Sequence, residues 1–498
     1  MTQSPESQGP ETHWIERYAQ FLFRFRWLVL LIMLALTAGG LYGAKNLTFK
    51  GDYRIFFSED NPQLAAHDAL ERTYTKADSI IFVVQLDEDT IYQRDVLEAV
   101  QWISEEGWQL PLAIRVDSIT NFQHLFVSGD DIVVRDLVDN PQELSPSELD
   151  YVEKVAESEP FIAGKAVALD ERTTAVQVTF QLPDNPAQIA GEIAETARDI
   201  RERALERFPG LTIKVTGTVM LNNAFSEVAI KDMTTLYPLM LAFLALTMFW
   251  FLRSAWGALN AMIVVLLSAT VAYGIAGWLG FYISSPSTSA FVIILTVAVA
   301  DSIHVMVTMF KQMRDGAQKR KAISESLRIN MQPVFLTSLT TAIGFFSLNF
   351  SDAPPIKDLG NISAFGAIAA FFYSIILLPV LLGLLPMKAH ATGGRDKKVL
   401  SAIVEFVIRR KIAIVSAFVI LLVVVGFAMP RLYINDKFVE FFSRDMDFRT
   451  ATDFSMENLT GIYVVEFSLG AGEPGGIADP EYLERVDEFV SWIESYPP

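Results

Sequence analysis

The chain has 498 residues, 51% hydrophobic and only 20% charged, with a mean hydropathy of +0.31, whereas soluble domains carry about 25% charge. A net charge of −18 and a pI near 4.8 argue against nucleic-acid binding, which wants a basic face. The absence of cysteine excludes disulfides, iron–sulfur clusters and thiolate zinc sites.

In chain order, residues 1–26 read as a cytoplasmic N-terminus ending in an amphipathic helix that carries Trp14, Ile15, Tyr18 and Phe21, a pattern suited to the membrane surface. Seven apolar runs follow at about 27–44, 236–252, 257–280, 286–310, 333–350, 361–386 and 412–430, each close to the roughly 20 residues that cross a bilayer. The first lacks a small-residue cleavage site and reads as a retained anchor. Residues 45–233 form an outer domain, 234–387 a bundle of five spans, and 388–411 a basic linker with a second amphipathic helix. Span seven is 412–430, and 431–498 opens a second outer domain. The charge is segregated accordingly: residues 47–231 hold 33 Asp/Glu against 16 Lys/Arg, a net −17.

Basic residues flank the spans on alternate loops. Arg17, Arg24 and Arg26 precede span one and Arg253 follows span two. Lys311, Arg314, Lys319, Lys321 and Arg328 follow span four, and Lys388 to Lys411 precede span seven. The other short loops carry only Lys357. This asymmetry places the N-terminus in the cytoplasm and the acidic domain outside.

The outer domain reads as α/β. Residues 80–84 and 211–215 are β-branched runs, 174–180 alternates as a half-buried strand does, and helical patterns cover 96–103 and 186–208. Strand–helix–strand units of this kind suggest split βαβ, ferredoxin-like subdomains. The fold class is therefore an α-helical polytopic membrane protein with an α/β extracytoplasmic domain.

A shift of 385 residues lays Phe56-Phe57-Ser58 on Phe441-Phe442-Ser443 and Leu47 on Leu432. It also lays Trp14, Ile15, Tyr18 and Phe21 on Val399, Leu400, Ile403 and Phe406; with small gaps, 81–84 matches 462–465 and 100–103 matches 490–493. This is an internal duplication whose second copy stops after its first strand and helix.

Only one acid lies deep in a span, Asp301. An ionised carboxylate is costly there, so Asp301 is read as a group that takes up and releases a proton or cation, against the alternative of a structural buried acid. Ser302 is its neighbour, and His304 and Thr308 fall three and seven residues on, near the same helical face. Thr337, Thr340 and Thr341 recur at threes and fours along span five, either as helix-packing hydroxyls or as part of a proton path. No phosphate-binding loop, zinc-hydrolase histidine pair or nucleophile elbow occurs, so neither enzyme activity, cofactor nor metal is expected.

The residues Val215-Thr-Gly217, Tyr237-Pro238-Leu239, Ala300-Asp301-Ser302-Ile303-His304 and the run from Pro333 to Phe345 resemble those of the resistance–nodulation–division (RND) superfamily. The likeness is to its MMPL and hopanoid-exporter-like branch, with a sterol-sensing-like bundle, and covers residues 14–498. It implies proton-driven export of a hydrophobic or lipid-like substrate, with Asp301 as the proton site. Multidrug members pair two acids where this chain has Ala300 and Asp301, and mycobacterial lipid exporters place Tyr where it has Ser302. Members complete twelve spans, so the resemblance implies a missing second half or a homo-oligomer. The other readings are a lipid-sensing regulatory protein and a non-transporting scaffold.

Overall fold

Seven helices long and apolar enough to cross a membrane occur among the described residues: Arg26–Ala44, Thr218–Leu252, Ala255–Trp278, Ser285–Arg314, Lys319–Phe350, Pro354–Leu384 and Lys411–Arg431, here spans 1 to 7. They are seen in a computed structural model that describes residues 10–74, 78–128, 131–183, 187–387, 394–433, 437–459 and 465–495. Without water to bond them, backbone N–H and C=O groups in a bilayer pair within their own helix, which is why uninterrupted apolar sequence takes this form. Each expected run overlaps one span. Span 5 begins earlier than its apolar run, because Pro333 lies inside a continuous helix, Lys319–Phe346, and not at its start. Lys388 and His390 of the basic linker lie outside the described residues.

The chain divides into two units. The first, Met1–Glu59, Asn185–Gly191 and Leu221–Phe442, holds the bundle. Spans 3, 4 and 6 form its centre, being 50%, 50% and 61% buried over their most apolar stretch, against 6%, 17% and 0% for spans 2, 5 and 7. Span 1 docks on span 3 backbone to backbone. A Cβ on Gly274 would overlap the Cα and carbonyl of Gly40, and one on Gly277 would overlap the carbonyl of Gly43, so glycine is required where helices approach this closely.

The amphipathic helix Pro10–Arg24 buries Ile15, Ala19 and Leu22 in the same apolar core as the spans. Its Tyr18 hydroxyl donates to the Ile375 carbonyl at 3.1 Å, and burial pushes that phenol up to about 12. Ile375 belongs to a π-helical turn of span 6, Tyr373–Leu377, whose Tyr373 hydroxyl meets that of Thr37 in span 1 at 2.6 Å.

The second unit is Asp60–Asp184, Glu192–Met220 and Ser443–Pro498. Its sheet has the order β2-β5-β1-β6, with β1 Asp78–Leu86, β2 Ala113–Asp117, β5 Thr173–Phe180 and β6 Leu211–Thr216. All three pairings are antiparallel, and helices Arg94–Gly107 and Ala187–Arg207 connect β1 to β2 and β5 to β6. This is the split βαβ arrangement expected from the sequence. The apolar runs of β1 and β5 fill the two central positions, where both strands are largely buried. A hairpin of β3 Gln123–Ser128 and β4 Asp131–Asp136 interrupts the connection between β2 and β5. Gly217 ends β6 at φ +115°, and a side chain there would strike the Ser79 carbonyl. Helix Asp447–Asn458 lies against β6, with Thr452 and Thr216 hydroxyls 2.6 Å apart and Arg201 2.8 Å from Asp447.

The duplication is visible element by element. The 3₁₀ turns Tyr53–Phe56 and Phe438–Phe441, and the helices Pro62–Thr73 and Asp447–Asn458, stand at the same 385-residue offset. In the membrane unit the two turns meet, with the Phe56 and Phe438 rings 5.5 Å apart and the Phe225 ring tilted against Phe442 at 4.9 Å. Of the second-copy strand expected at 462–465, residues 462–464 lie outside the described residues and Val465 is in no strand.

Candidate functional site

The site is built on span 4. Ser284 and Ser287 form a capping box at its start, each side chain satisfying the other's backbone N–H, and helix Ala290–Arg314 follows. Its buried face includes Ile294, Ala298, Asp301, Ser302, Val305 and Met309. Asp301 is 3% exposed and Ser302 is fully buried. The Ser338 hydroxyl of span 5 donates to Asp301 Oδ2 at 3.1 Å. Among the described residues no lysine or arginine pairs with this carboxyl, and the Ser302 hydroxyl has no hydrogen-bond partner.

Ser338 stands on a stripe of span 5 that repeats every four residues: Ala322, Ser326, Asn330, Val334, Ser338 and Ala342 are all buried. The residues expected from the sequence stand off it, Thr337 and Thr341 by one position and Thr340 by two. Thr337 and Thr340 are exposed and Thr341 is half-buried; the first two turn their hydroxyls back onto their own helix, at Val334 and Leu336 carbonyls. On span 4, Thr308 is half-buried and His304 exposed. At about 100° per residue, the buried arc of span 4 is centred on the Ser302 side of Asp301, which leaves His304 more than about 100° from its middle. The structure thus brings Asp301 and Ser302 into the interior, joins Asp301 to Ser338, and leaves His304, Thr337 and Thr340 outside. The four-residue period of small and polar residues through Ser338 was the available signal for the missed partner; the more numerous threonines obscured it.

Chemically, the site is a carboxyl in the bundle interior with one hydroxyl as its side-chain partner. Ionised, it lacks a compensating cation among the described residues; protonated, it is a neutral acid with a hydrogen-bonded neighbour.

The MMPL family matches residues 123–414. The chain belongs to the MMPL family. The MMPL match spans Asp301, Ser338 and spans 2 to 6 entire. Among similar proteins, one from Methanocaldococcus jannaschii named as a membrane protein is 21% identical over 378 residues, 74% of this chain and 93% of its own length. The nickel and cobalt resistance protein CnrA of Cupriavidus metallidurans is 24% identical over 176 residues, 34% of this chain and 16% of its own length.

Proposed function

We propose that this chain acts as an RND-type exporter that moves hydrophobic or amphiphilic, lipid-like substrates outward, driven by inward proton flow through Asp301. The observation that carries the reading is a carboxyl 3% exposed near the middle of a membrane span, with a single hydroxyl as its partner. Each protonation changes the charge of the bundle centre, so spans 4 and 5 pack differently in the two states, and a substrate path biased by that packing is driven by the proton gradient. MMPL membership and the resemblance to a metal-resistance protein support export. The substrate class is supported by a cavity of about 230 Å³ lined by four phenylalanines (Phe56, Phe225, Phe441 and Phe442), Val228 and Pro286 together with the hydroxyl residues Ser285 and Ser289, a lining that suits an amphiphile. The loops rich in Lys and Arg support a cytoplasmic N-terminus in a bacterial inner membrane, with the acidic unit in the periplasm.

The test is substrate-stimulated proton flux into proteoliposomes loaded with a pH dye, with a fluorescent lysolipid as the probe substrate. Asp301→Asn is expected to abolish flux and export while inserting normally. Undiminished flux in that variant sinks the proton reading, and a sodium dependence in its place redirects it to a different cation.

A further inference from the structure

Asp301 stands thirteen residues from Arg314, about 20 Å along the helix from the basic end of the bundle, and a proton leaving it must cover that distance. Span 4 itself offers only apolar side chains on the buried face there: Val305, Met306, Met309 and Phe310. The facing stripe of span 5 does not. Ser326 is fully buried and Asn330 8% exposed. The Ser326 hydroxyl donates across the seam to the Val305 carbonyl, and Asn330 Nδ2 donates to the Ser326 carbonyl at 2.8 Å and its hydroxyl at 3.4 Å. Between this pair and Ser338 comes Pro333, within the helix. Proline has no N–H, so the Ile329 carbonyl loses its helical donor, but Ile329 and Pro333 stand on the exposed side of span 5 that also carries Thr337. At the other end the stripe runs out at Ala322, beside the Lys319–Lys321 basic cluster.

We propose that Asn330 and Ser326 form the leg of the proton path that links Asp301 to the basic end of the bundle. The inference rests on the proton reading above. Buried hydroxyl and amide side chains at a helix seam serve packing or a polar path; Ser326 and Asn330 are the polar side chains of the buried span 5 stripe on the basic-end side of Ser338. The fully buried Ser302 hydroxyl, without a partner among the described residues, provides a further polar group beside Asp301 on the interior face. In this path the Asp301 carboxyl gives its proton to water entering the seam, which passes it along the polar side chains of Asn330 and Ser326. The path releases one proton at the basic end, and the carboxylate takes another from the opposite side. Asn330 and Ser326 are positioning residues: they orient the water and are not themselves ionised.

The full chain in proteoliposomes, driven by an imposed potential and read with a pH dye, provides the test. Asn330→Leu, which keeps the volume, is expected to lower Asp301-dependent proton flux by about tenfold or more, and Asn330→Thr, which supplies a hydroxyl in place of the amide, to recover most of it. Ser326→Ala is expected to slow flux several-fold, and Ser326→Thr not to. Equal flux in Asn330→Leu and the wild type overturns the proposal, as does equal loss in Leu and Thr variants, which is the mark of a packing role. If Asn330→Leu fails to insert, the Ser326 pair decides alone: equal flux in Ser326→Ala and Ser326→Thr overturns the proposal. Flux unaffected by Asp301→Asn instead overturns the function reading itself.

Discussion

Two seams hold the bundle together by opposite means. Span 1 meets span 3 through Gly40, Gly43, Gly274 and Gly277, backbone against backbone. Span 4 meets span 5 through two hydrogen bonds across the interface, Ser338 to Asp301 and Ser326 to the Val305 carbonyl. The first seam has no side chain that can change state, and any added atom collides. The second carries an ionisable group, Asp301, bonded across the interface by one hydroxyl. Glycine contacts fix a geometry by steric fit, whereas the second seam is joined by side-chain hydrogen bonds that a substitution can remove without a collision.

The largest effect tests the rigid seam. Gly274→Leu drives a side chain into span 1 and is expected to cost more than about 3 kcal/mol, seen as loss of monodisperse, membrane-inserted protein. Wild-type yield and melting temperature would show the contact to be loose. Asp301→Asn tests the other seam with the reverse signature: transport falls by about a hundredfold or more while the melting temperature moves only by about a few degrees. A large thermal loss with transport preserved would exchange the roles of the two seams.

Ser338→Ala sharpens the second seam further. It removes one hydrogen bond to a carboxyl, of the order of 1.5 kcal/mol, and should slow transport about tenfold with insertion unchanged. By contrast Thr337→Ala and Thr340→Ala, whose hydroxyls bond their own helix, should leave the rate near wild type; a larger loss there than at Ser338 would reverse the assignment of faces.

The smallest effect comes from a carboxyl outside the membrane. Partial burial, and then the neighbouring Glu153 and Glu157, hold the Glu171 carboxyl above the usual carboxylate range. A carboxyl raised in the folded state favours folding when protonated, so the acidic unit should gain stability as pH falls through the raised value and lose that gain as pH rises through it. Amide-exchange protection of β1 and β5, corrected for intrinsic rates, should therefore rise on mild acidification in the wild type and less so in Glu171→Gln. Identical pH slopes in the two proteins would remove Glu171 from the account.

Much of this was legible in the amino-acid order because it is local. A stretch of about 20 apolar residues must be a helix in a bilayer, whatever surrounds it. Likewise the β-branched runs at 80–84, 174–180 and 211–215 are β1, β5 and β6, and the Phe-Phe-Ser repeat marks the equivalent 3₁₀ turns of the two copies. Asp301 stood out for the same reason, as an acid alone in an apolar run. The hairpin β3–β4 went unread because it pairs only with itself, and its alternation is short.

Facing was not legible. Helical spacing says which residues share a side, but the side that meets a neighbour is set by where the other helices stand. One residue of rotation, about 100°, separates Thr337 from Ser338 and an exposed threonine from the hydroxyl that touches Asp301. The same geometry leaves His304 outside the interior while Ser302 lies within it. Likewise the Pro10–Arg24 helix has an apolar side that suits either lipid or protein, and only its packing against the bundle core decides between them. The sequence alone determined that this is a duplicated, polytopic protein of the membrane with an acidic α/β unit and a carboxyl, Asp301, deep in an apolar run. Only the tertiary structure decided what that carboxyl touches, because contacts between spans depend on rotations and offsets that no single helix encodes.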